Sequence, residues 1–374
     1  MVFQKDKFKI RIAHSIQQKK NHVYLDLKCK RELISEIIFG DKKVRKYPTT
    51  IQLPITYKCN FDCVMCGMRN LAKQQDFTAD ELGRILEDKL YSKVISIGIN
   101  GGEPFLKTDL EQCVEVMLEE ISTLKSISII SNGFFTDLIC KKLSSIKKMA
   151  TNKGVKVHLA LSVDGIDEMQ DFMRGAKDAW KNVNTTIDRL FEKKEQYFDS
   201  FKTICTITKH NVYSLYEVED WAKERDIEVS YNIATINVRI DNEKKLQDFS
   251  IFGDEKARMF AAEFFYKRFF NSRSQRDFAL FLFITTGERY AACDCQYNRW
   301  VTLTPNGRLG YCATHSKDIG NALEQSSYKI FNKNTKYLRE IKRDYCRNCS
   351  HYMYRLNRIG IKKYFDEIKR IENC

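Results

Sequence analysis

Three cysteines within eight residues constrain this chain more than any other feature of its sequence. Cys59, Cys63 and Cys66 have the spacing Cys-x-x-x-Cys-x-x-Cys and directly follow an apolar run at 51–56 that is typical of a β-strand. Three thiolates this close in sequence can hold one corner of an iron–sulfur cluster and leave one metal position without a protein ligand. An open position indicates chemistry rather than structure alone. On the residues alone, a partial zinc site or three unligated neighbouring cysteines stays open as an alternative.

Short strands alternate with helical segments from Tyr47 to about Ala234, which is typical of βαβ units around a parallel sheet. Two Thr-x-x-Glu sequences, beginning at Thr78 and Thr108, predict capping boxes at the start of helices. In parallel barrels the functional residues lie at the carboxyl ends of the strands. After the first strand, the sequence predicts further strands at 94–100, 127–130, 157–163, 203–208 and 228–233.

Polar motifs follow three of these predicted strands. The adjacent glycines of Gly101-Gly102-Glu103-Pro104 let a backbone approach a ligand closely. The amide of Asn132 and the hydroxyl of Ser162 come at the next two strand ends, where such groups can bind a ligand. Asn-Gly and Asp-Gly also form ordinary turns, so the residues alone leave both interpretations open. Asp164, next to Ser162, is either a substrate-side base or a turn residue.

A second group of cysteines lies near the carboxyl end of the chain. The turn Pro305-Asn306-Gly307, with alternating apolar residues on both sides, predicts a β-hairpin. Four thiolates around it would complete the shell of a four-iron cluster or, alternatively, of a zinc ribbon. Either Cys293 or Cys295 could be the first ligand, and the spacing to Gly307 favours Cys295. The predicted set is Cys295, Cys312, Cys346 and Cys349, whereas Cys29, Cys113, Cys140, Cys205 and Cys374 are expected to be buried thiols.

The first motif resembles that of the radical S-adenosylmethionine (SAM) superfamily. In that family three cysteines hold a four-iron, four-sulfur cluster, SAM occupies the open iron, and reductive cleavage of SAM yields a 5′-deoxyadenosyl radical. The resemblance implies that Cys59, Cys63 and Cys66 are the catalytic cluster ligands. Met65 replaces the aromatic residue that the family usually places near the adenine, and as a soft side chain it can make that contact. Further SAM-binding residues implied by the resemblance are Gly101, Gly102, Glu103, Pro104, Asn132, Ser162 and Arg174.

The resemblance also implies the fold, an α/β partial (β/α)6 TIM-type barrel with a small Cys-rich hairpin and helix domain. The carboxyl-terminal cysteines resemble the twitch domain, the short form of the SPASM domain, with one auxiliary four-iron cluster. Four segments are expected: a basic lead-in at 1–46, the radical SAM barrel at 47–234, a helical connector at 235–290 and the auxiliary domain at 291–374. A short helix is predicted at 31–39, and the aromatic helix at 255–270 is expected to pack in a core.

The expected activity is that of a radical SAM oxidoreductase. The radical would abstract hydrogen from a small molecule such as a sugar or aminocyclitol, and the auxiliary cluster would accept an electron to complete an oxidation. A lead-in of about 50 residues, short for a leader-binding module, and a single auxiliary cluster favour this substrate over the peptide of a maturase that crosslinks or epimerises its target. The expected partners are an electron donor such as flavodoxin or ferredoxin and the substrate.

Charge and hydropathy limit the alternative functions that the chain could have. The net charge of +14 lies at the two ends, since residues 1–49 carry 13 Lys and Arg against 5 Asp and Glu, and residues 333–374 carry 12 against 5. Such ends could bind acidic partners, so a zinc-binding interaction module and an RNA-modifying radical SAM enzyme are alternatives, although no nucleic-acid motif accompanies them. The longest apolar run, 278–284, is too short to span a membrane, and a cytoplasmic location is expected.

Overall fold

The computed structural model describes residues 46–351 and 353–373. The helix predicted at 31–39, Cys29 and Cys374 lie outside the described residues, as does almost all of the predicted lead-in.

Six parallel strands form the main sheet, and each strand pairs with the next one in chain order. The parallel pairing confirms the βαβ units that the alternating pattern predicts, and the order is that of the partial (β/α)6 barrel that the resemblance implies. The predicted bounds of the strands are within three residues of those observed. The strands are β1 (Thr50–Thr56), β2 (Ser96–Gly101), β3 (Ser126–Ser131), β4 (Lys156–Ser162), β5 (Ser200–Ile207) and β6 (Val229–Ile233).

Helices lie between these strands and bury their apolar faces against the sheet. The first helix begins with the predicted capping box, in which the Thr78 hydroxyl accepts from the Glu81 N–H and the Glu81 carboxylate accepts from the Thr78 N–H. The helices between the strands are α1 (Ala79–Leu86), α2 (Leu110–Glu120), α3 (Thr136–Asn152), α4 (Asp167–Arg174), α5 (Ala179–Glu192) and α6 (Leu215–Glu224).

The capping box predicted at Thr108 is wrong. Helix α2 begins after Asp109, and its first turn has no side-chain cap. The Asp109 carboxylate is used elsewhere, because it accepts from the Ala79 N–H at 3.0 Å and pairs with Lys107 at 3.0 Å. The predicted capping residue is Thr108, but the helix begins one residue later, so Asp109 occupies the N-cap position and its carboxylate accepts from the start of α1 instead of from its own helix.

The predicted hairpin is present, and it extends the barrel sheet rather than forming a sheet of its own. Strands β8 (Trp300–Leu303) and β9 (Arg308–Gly310) are antiparallel, and β8 also pairs in parallel with β1, where Trp300 is opposite Thr50. With β10 (Gly320–Asn321), the sheet has nine strands in the order β10-β9-β8-β1-β2-β3-β4-β5-β6. The carboxyl-terminal cysteines are therefore attached directly to the first barrel strand.

The segment after β6 is helical, as expected, and its aromatic residues form a second core. Phe264, Phe265 and Phe269 are fully buried there, which confirms their predicted role in packing. The remaining helices and the small sheet of β7 and β11 follow in the described part of the chain, and of these the helices at Ser327–Lys333 and Thr335–Asp344 pack on the barrel core instead. The remaining elements are α7 (Leu246–Phe249), α8 (Glu255–Ser272), α9 (Gln275–Thr286), β7 (Ala291–Ala292), α10 (Ser327–Lys333), α11 (Thr335–Asp344), β11 (Arg355–Leu356) and α12 (Arg358–Glu372).

The apolar run at 278–284 lies inside α9 and is mostly buried. No helix in the described part of the chain is long and apolar enough to cross a bilayer.

Candidate active site

A cavity of about 890 Å³ occupies the interior of the partial barrel. Its walls come from the inward-facing residues of the barrel strands, the cysteine loop after β1 and the segment after β6. Of the residues predicted to bind the cluster or SAM, most line this one cavity. They are Cys59, Cys63, Met65, Cys66, Gly101, Gly102, Asn132, Ser162 and Arg174.

The three thiols of the cysteine loop point into this cavity and receive donors from the protein. Backbone N–H groups of Phe61 and Met68 donate to the sulfurs of Cys59 and Cys66 at 3.5 Å and 3.4 Å. The Arg174 guanidinium donates to the sulfur of Cys63 at 3.8 Å. Such donors are suited to sulfurs that carry negative charge.

Burial nevertheless opposes that charge. It raises the pKa of Cys59 to about 12 and the pKa of Cys63 to about 11, and it also raises the pKa of Cys66. Thiolates in this position therefore need a bound cation, because a buried anion is stable only when it is paired or coordinates a metal. The donor set and its burial fit an iron–sulfur cluster.

The segment after β6 holds the backbone of the cysteine loop in place. The Asn242 amide donates to the Met65 carbonyl at 2.8 Å, and the Lys245 ammonium donates to the Cys66 carbonyl at 2.8 Å. A Cβ atom at Gly67 would lie 2.1 Å from the Asp241 carbonyl oxygen, so only glycine allows this contact. Sequence reasoning missed Asn242 and Lys245, since no motif marks them and they act from about 180 residues away.

The glycines after β2 allow the strand end to pack against the cysteine loop. A Cβ at Gly102 would lie 2.1 Å from the Lys58 carbonyl oxygen, and Gly101 has a φ of 131° that other residues rarely adopt. Both glycines line the cavity. Their close approach brings the open backbone of the turn beside the position predicted for the cluster.

Glu103 and Pro104 are not among the residues that line the cavity. The Glu103 carboxylate is fully buried and accepts from the Asn132 N–H at 2.7 Å, the Ser131 hydroxyl at 2.9 Å and the Phe105 N–H at 3.2 Å. Burial raises the pKa of Glu103 to about 7, although these hydrogen bonds lower it. In this structure the Glu103 side chain connects the ends of β2 and β3.

Asn132 connects this network to the cysteine loop. Its side-chain amide donates to the Asn60 side-chain oxygen at 2.8 Å, and Asn60 follows Cys59 directly. Asn132 therefore both lines the cavity and positions the loop.

Arg174 lies at the end of α4 and pairs with Asp164 at 2.7 Å. The Thr206 N–H donates to the Asp164 carboxylate at 2.7 Å, which fixes the carboxylate behind the guanidinium. Burial alone would lower the pKa of Arg174, but Asp164 and the Cys63 thiol raise it above its usual value. Asp164, whose role the sequence left open, is fully buried and pairs with this cation.

The Nε atom of Arg174 is buried and has no hydrogen-bond partner among the described residues. Arg174 lines the cavity beside Cys63. The buried Nε is out of reach of the cavity, but other atoms of the guanidinium are at the cavity wall, where a carboxylate on a bound molecule could pair with them.

Five cysteines surround a second, smaller cavity on the other side of the barrel opening. They come from the turn after β7, the segment after β9 and the 3₁₀ turn at Cys346–Asn348. Both Cys293 and Cys295 lie here, so the structure adds a fifth thiol to the predicted four. The cysteines are Cys293, Cys295, Cys312, Cys346 and Cys349.

Three of these thiols interact with one another. A hydrogen bond from Cys295 lowers the pKa of Cys293 to about 7 and the pKa of Cys312 to about 5. Burial raises the pKa of Cys349 to about 12. The single S–H of Cys295 can donate to one of these sulfurs at a time, so the group favours negative charge on one of the two, and a bound metal would stabilise further thiolates.

Arg289 holds the backbone around these cysteines. Its guanidinium donates to the carbonyl oxygens of Cys349 and Ala291 at 2.8 Å each, and to that of Ala292 at 3.1 Å. One buried guanidinium thus joins β7 to the Cys346–Cys349 turn. Sequence reasoning missed Arg289, because only the folded chain brings these two segments together.

The two cavities are neighbours. His351, two residues after Cys349, lines both of them, and Asp294, Trp300 and Ala313 of the same region line the barrel cavity. A molecule in the barrel cavity would therefore lie between the two groups of cysteines.

Within residues 46–351 and 353–373, no three His, Cys, Asp or Glu side chains are arranged to hold a single metal ion. An iron–sulfur cluster does not require such an arrangement, because each cysteine binds a different iron.

A family model described as the radical SAM superfamily matches residues 53–249, which is more than half of the chain. The chain belongs to the radical SAM superfamily. Its members use a four-iron, four-sulfur cluster and SAM, so this enzyme uses both.

The matches to two curated relatives cover about half of those proteins' length or less. A GTP 3′,8-cyclase of Limosilactobacillus fermentum is 24% identical over 186 residues, which are 48% of this chain and 52% of that protein. A probable GTP 3′,8-cyclase of Methanococcus maripaludis is 38% identical over 96 residues, 25% of this chain and 32% of that protein. The chain spans about half the length of the first and a third of the second.

Solved structures share the fold over most of this radical SAM enzyme. The protein anSMEcpe with bound AdoMet has a TM-score of 0.58 and 19% identity, and the match covers 87% of this chain and 98% of that one. SuiB of Streptococcus suis bound to S-adenosylmethionine has a TM-score of 0.52 and 16% identity, and the match covers 82% of this chain and 70% of that one.

Proposed function

We propose that this radical SAM enzyme holds its catalytic cluster on Cys59, Cys63 and Cys66 and binds SAM between the cysteine loop and the ends of β2 to β4. The observation that carries the proposal is the convergence of these three thiols with Gly101 and Arg174 on one cavity. When bound, the cluster and SAM would supply reductive cleavage of SAM and abstraction of a hydrogen atom from the substrate.

The protein's own residues would bind and orient SAM. The Gly101-Gly102 turn offers open backbone beside the cysteine loop and would receive the amino group of SAM. Arg174 lines the cavity and would pair with the carboxylate of SAM, and Asp164 fixes the position of its guanidinium. Ser162 and Asn132 would hydrogen-bond further polar groups, and Met65 would contact the adenine.

We also propose one auxiliary four-iron cluster on Cys312, Cys346, Cys349 and either Cys293 or Cys295, in a twitch-like or SPASM-like domain. Its cavity adjoins the barrel cavity through His351, so it is placed to accept an electron from a substrate held between them. The net reaction would then be an oxidation, with an electron donor of the flavodoxin or ferredoxin kind.

For the substrate we propose a small molecule such as a sugar or aminocyclitol. A ribosomally made peptide is the second candidate, since the cavity is large and SuiB and anSMEcpe are described in complex with a precursor peptide and a Cp18Cys peptide. The curated GTP 3′,8-cyclases are matched over about half of their length or less, and we do not extend their substrate to this enzyme.

Anaerobic iron–sulfur reconstitution with metal analysis and a SAM-cleavage assay tests the proposal. We expect about eight iron atoms per chain, four for each cluster, and dithionite-dependent 5′-deoxyadenosine. Zinc in place of iron would contradict the proposal.

Two variants distinguish the roles of the two proposed clusters. Cys63→Ala should abolish SAM cleavage, whereas Cys346→Ala should lose about half of the iron and keep cleavage but stop product formation. Cys140→Ala, a buried thiol away from both cavities, is the matched control. Product formation by Cys346→Ala would rule out the electron-accepting role.

A further inference from the structure

The part of the barrel cavity at the amino ends of the strands differs in polarity from the part near the cysteine loop. Inward-facing residues of β4 and β5 make it polar, and it opens to solvent beside the exposed Tyr354. His158 and Ser200 face each other across the two strands, with the ring nitrogen and the hydroxyl 2.7 Å apart. Neither residue belongs to the proposed SAM site.

Lys202 is the cation of this region. It lines the cavity from β5 and is half-buried, and no carboxylate among residues 46–351 and 353–373 lies within 4.0 Å of its ammonium. Its nearest described aromatic partner is the ring of Tyr354, whose centroid is 5.9 Å away. Glu228 also lines the cavity mouth, but it forms no ion pair with Lys202. A half-buried ammonium in this position is available to an anion.

A second cation strengthens the positive field. The Arg276 guanidinium lies 4.3 Å from the Tyr354 ring centroid, and donates to the Ser230 hydroxyl at 2.7 Å and the Asn232 side-chain oxygen at 3.0 Å. Partial desolvation would raise the pKa of Tyr354, but Arg276 and Lys202 lower it below its usual value. The direction of this shift shows that the two cations favour negative charge at the mouth.

The rise along strand β5 gives the distance between Lys202 and the level of the proposed SAM site. Lys202 precedes Thr206 by four residues on β5, which is about 13 Å along the strand. Thr206 lies at the level of the SAM site, because its N–H donates to Asp164 behind Arg174. A molecule that contacts both ends of the cavity must therefore be elongated.

We infer that Lys202, with Tyr354 and Arg276 beside it, binds an anionic group of the substrate, a carboxylate or a phosphate, at the end of the cavity opposite the SAM site. This inference rests on the proposed function, since it takes the other end of the cavity as the SAM site. It narrows the substrate class to elongated molecules with an anion at one end. His158 and Ser200 would supply neutral hydrogen-bonding partners to the same group.

Anion binding to the reconstituted, SAM-bound enzyme tests the inference by anaerobic equilibrium dialysis. Labelled inorganic pyrophosphate and labelled glutarate are the two probes, and they distinguish a phosphate site from a carboxylate site. We expect at least one to bind, with affinity that falls as salt is raised. Lys202→Met should weaken binding about tenfold or more, and Lys202→Arg should restore most of it.

Lys156→Met is the matched control, because Lys156 begins the neighbouring strand β4 but is exposed and does not line the cavity. It should bind the probes like the wild type. Absence of binding by both probes, or equal binding by Lys202→Met and the wild type, would overturn the inference. SAM cleavage by the same wild-type preparation is measured separately: anion binding without any cleavage would contradict the proposed function and leave the anion site standing.

Discussion

At the scale of single residues, two buried carboxylates near the candidate active site face opposite environments. Asp164 has a cation, since Arg174 lies 2.7 Å away, and it also accepts the Thr206 N–H. Glu103 is equally buried but accepts only neutral donors from Asn132, Ser131 and Phe105. The contribution of Asp164 to stability should therefore depend on Arg174, and the contribution of Glu103 should depend on pH.

Removing Asp164 should leave the Arg174 guanidinium buried without its counter-charge. We expect Asp164→Ala to lower the free energy of unfolding by about 3–5 kcal/mol, as for other broken buried ion pairs. The double variant Asp164→Ala/Arg174→Met should lose less than the sum of the two single variants. Urea denaturation of all four proteins measures this, and additive losses would show that the pair does not interact.

Glu103 should make stability depend on pH. Its pKa is raised from 4.5 to about 7 in the folded protein, so the folded state retains a proton that the unfolded state has lost. The unfolding free energy of the wild type, relative to Glu103→Gln, should therefore be highest below pH 4.5 and fall until about pH 7. Urea denaturation at a series of pH values measures the difference, and a rise with pH would contradict the assigned shift.

At the scale of elements, three segments meet at the cysteine loop. The turn after β2 packs on it from one side, the end of α4 contacts it through the Val64 N–H and the Met173 carbonyl at 3.1 Å, and the segment after β6 holds it through Asn242. The loop itself has little regular structure. Its shape therefore depends on close backbone contacts with its neighbours.

Gly102→Ala should disrupt this arrangement. The added Cβ would lie 2.1 Å from the Lys58 carbonyl oxygen, which is backbone and cannot rotate away. We expect a displaced loop and about 100-fold slower SAM cleavage, since misplacement by about 1 Å can cost that much. Gly253→Ala, where the added Cβ meets nothing within 4 Å, should cleave SAM at the wild-type rate. Wild-type cleavage by Gly102→Ala would show that the loop tolerates the shift.

At the scale of the whole molecule, the barrel and the carboxyl-terminal region share one sheet. Strand β8 pairs with β1 through Trp300 to Thr302, and Arg276 of α9 donates to the backbone of β6 at the opposite edge. The β1 edge of the six-stranded sheet is thus paired with β8, and one β6 carbonyl at the other edge accepts from Arg276. The auxiliary domain predicted at 291–374 and the barrel should consequently depend on each other.

A chain truncated after residue 290 tests this dependence. It would expose the edge of β1 and the apolar surface that Val301, Leu303 and Tyr311 cover. Exposed strand edges of this kind promote aggregation. We expect residues 1–290 to be insoluble or to lack a cooperative unfolding transition, measured by sedimentation and urea denaturation. A soluble fragment that unfolds cooperatively would show that the barrel is independent.

Much of this enzyme could be predicted from local sequence. Strand periodicity identified all six barrel strands, and the spacing of Cys59, Cys63 and Cys66 pointed to the superfamily that the family comparison shows. Short stretches of sequence determine these features, because a strand's alternation, a capping box or a three-cysteine loop involves residues that are neighbours in the chain. The hairpin at 305–307 was predictable for the same reason.

The tertiary structure decided what depends on distant residues. It placed Asp164 behind Arg174, turned the Glu103 side chain into the protein, put the N-cap of α2 one residue after the predicted cap at Thr108, and joined β8 to β1 across 250 residues. It also brought Lys202, Arg276 and Tyr354 together at the cavity mouth. The sequence determines which residues can form a contact, but burial and long-range packing select the partner of each polar group, because leaving a buried polar group without a partner costs free energy.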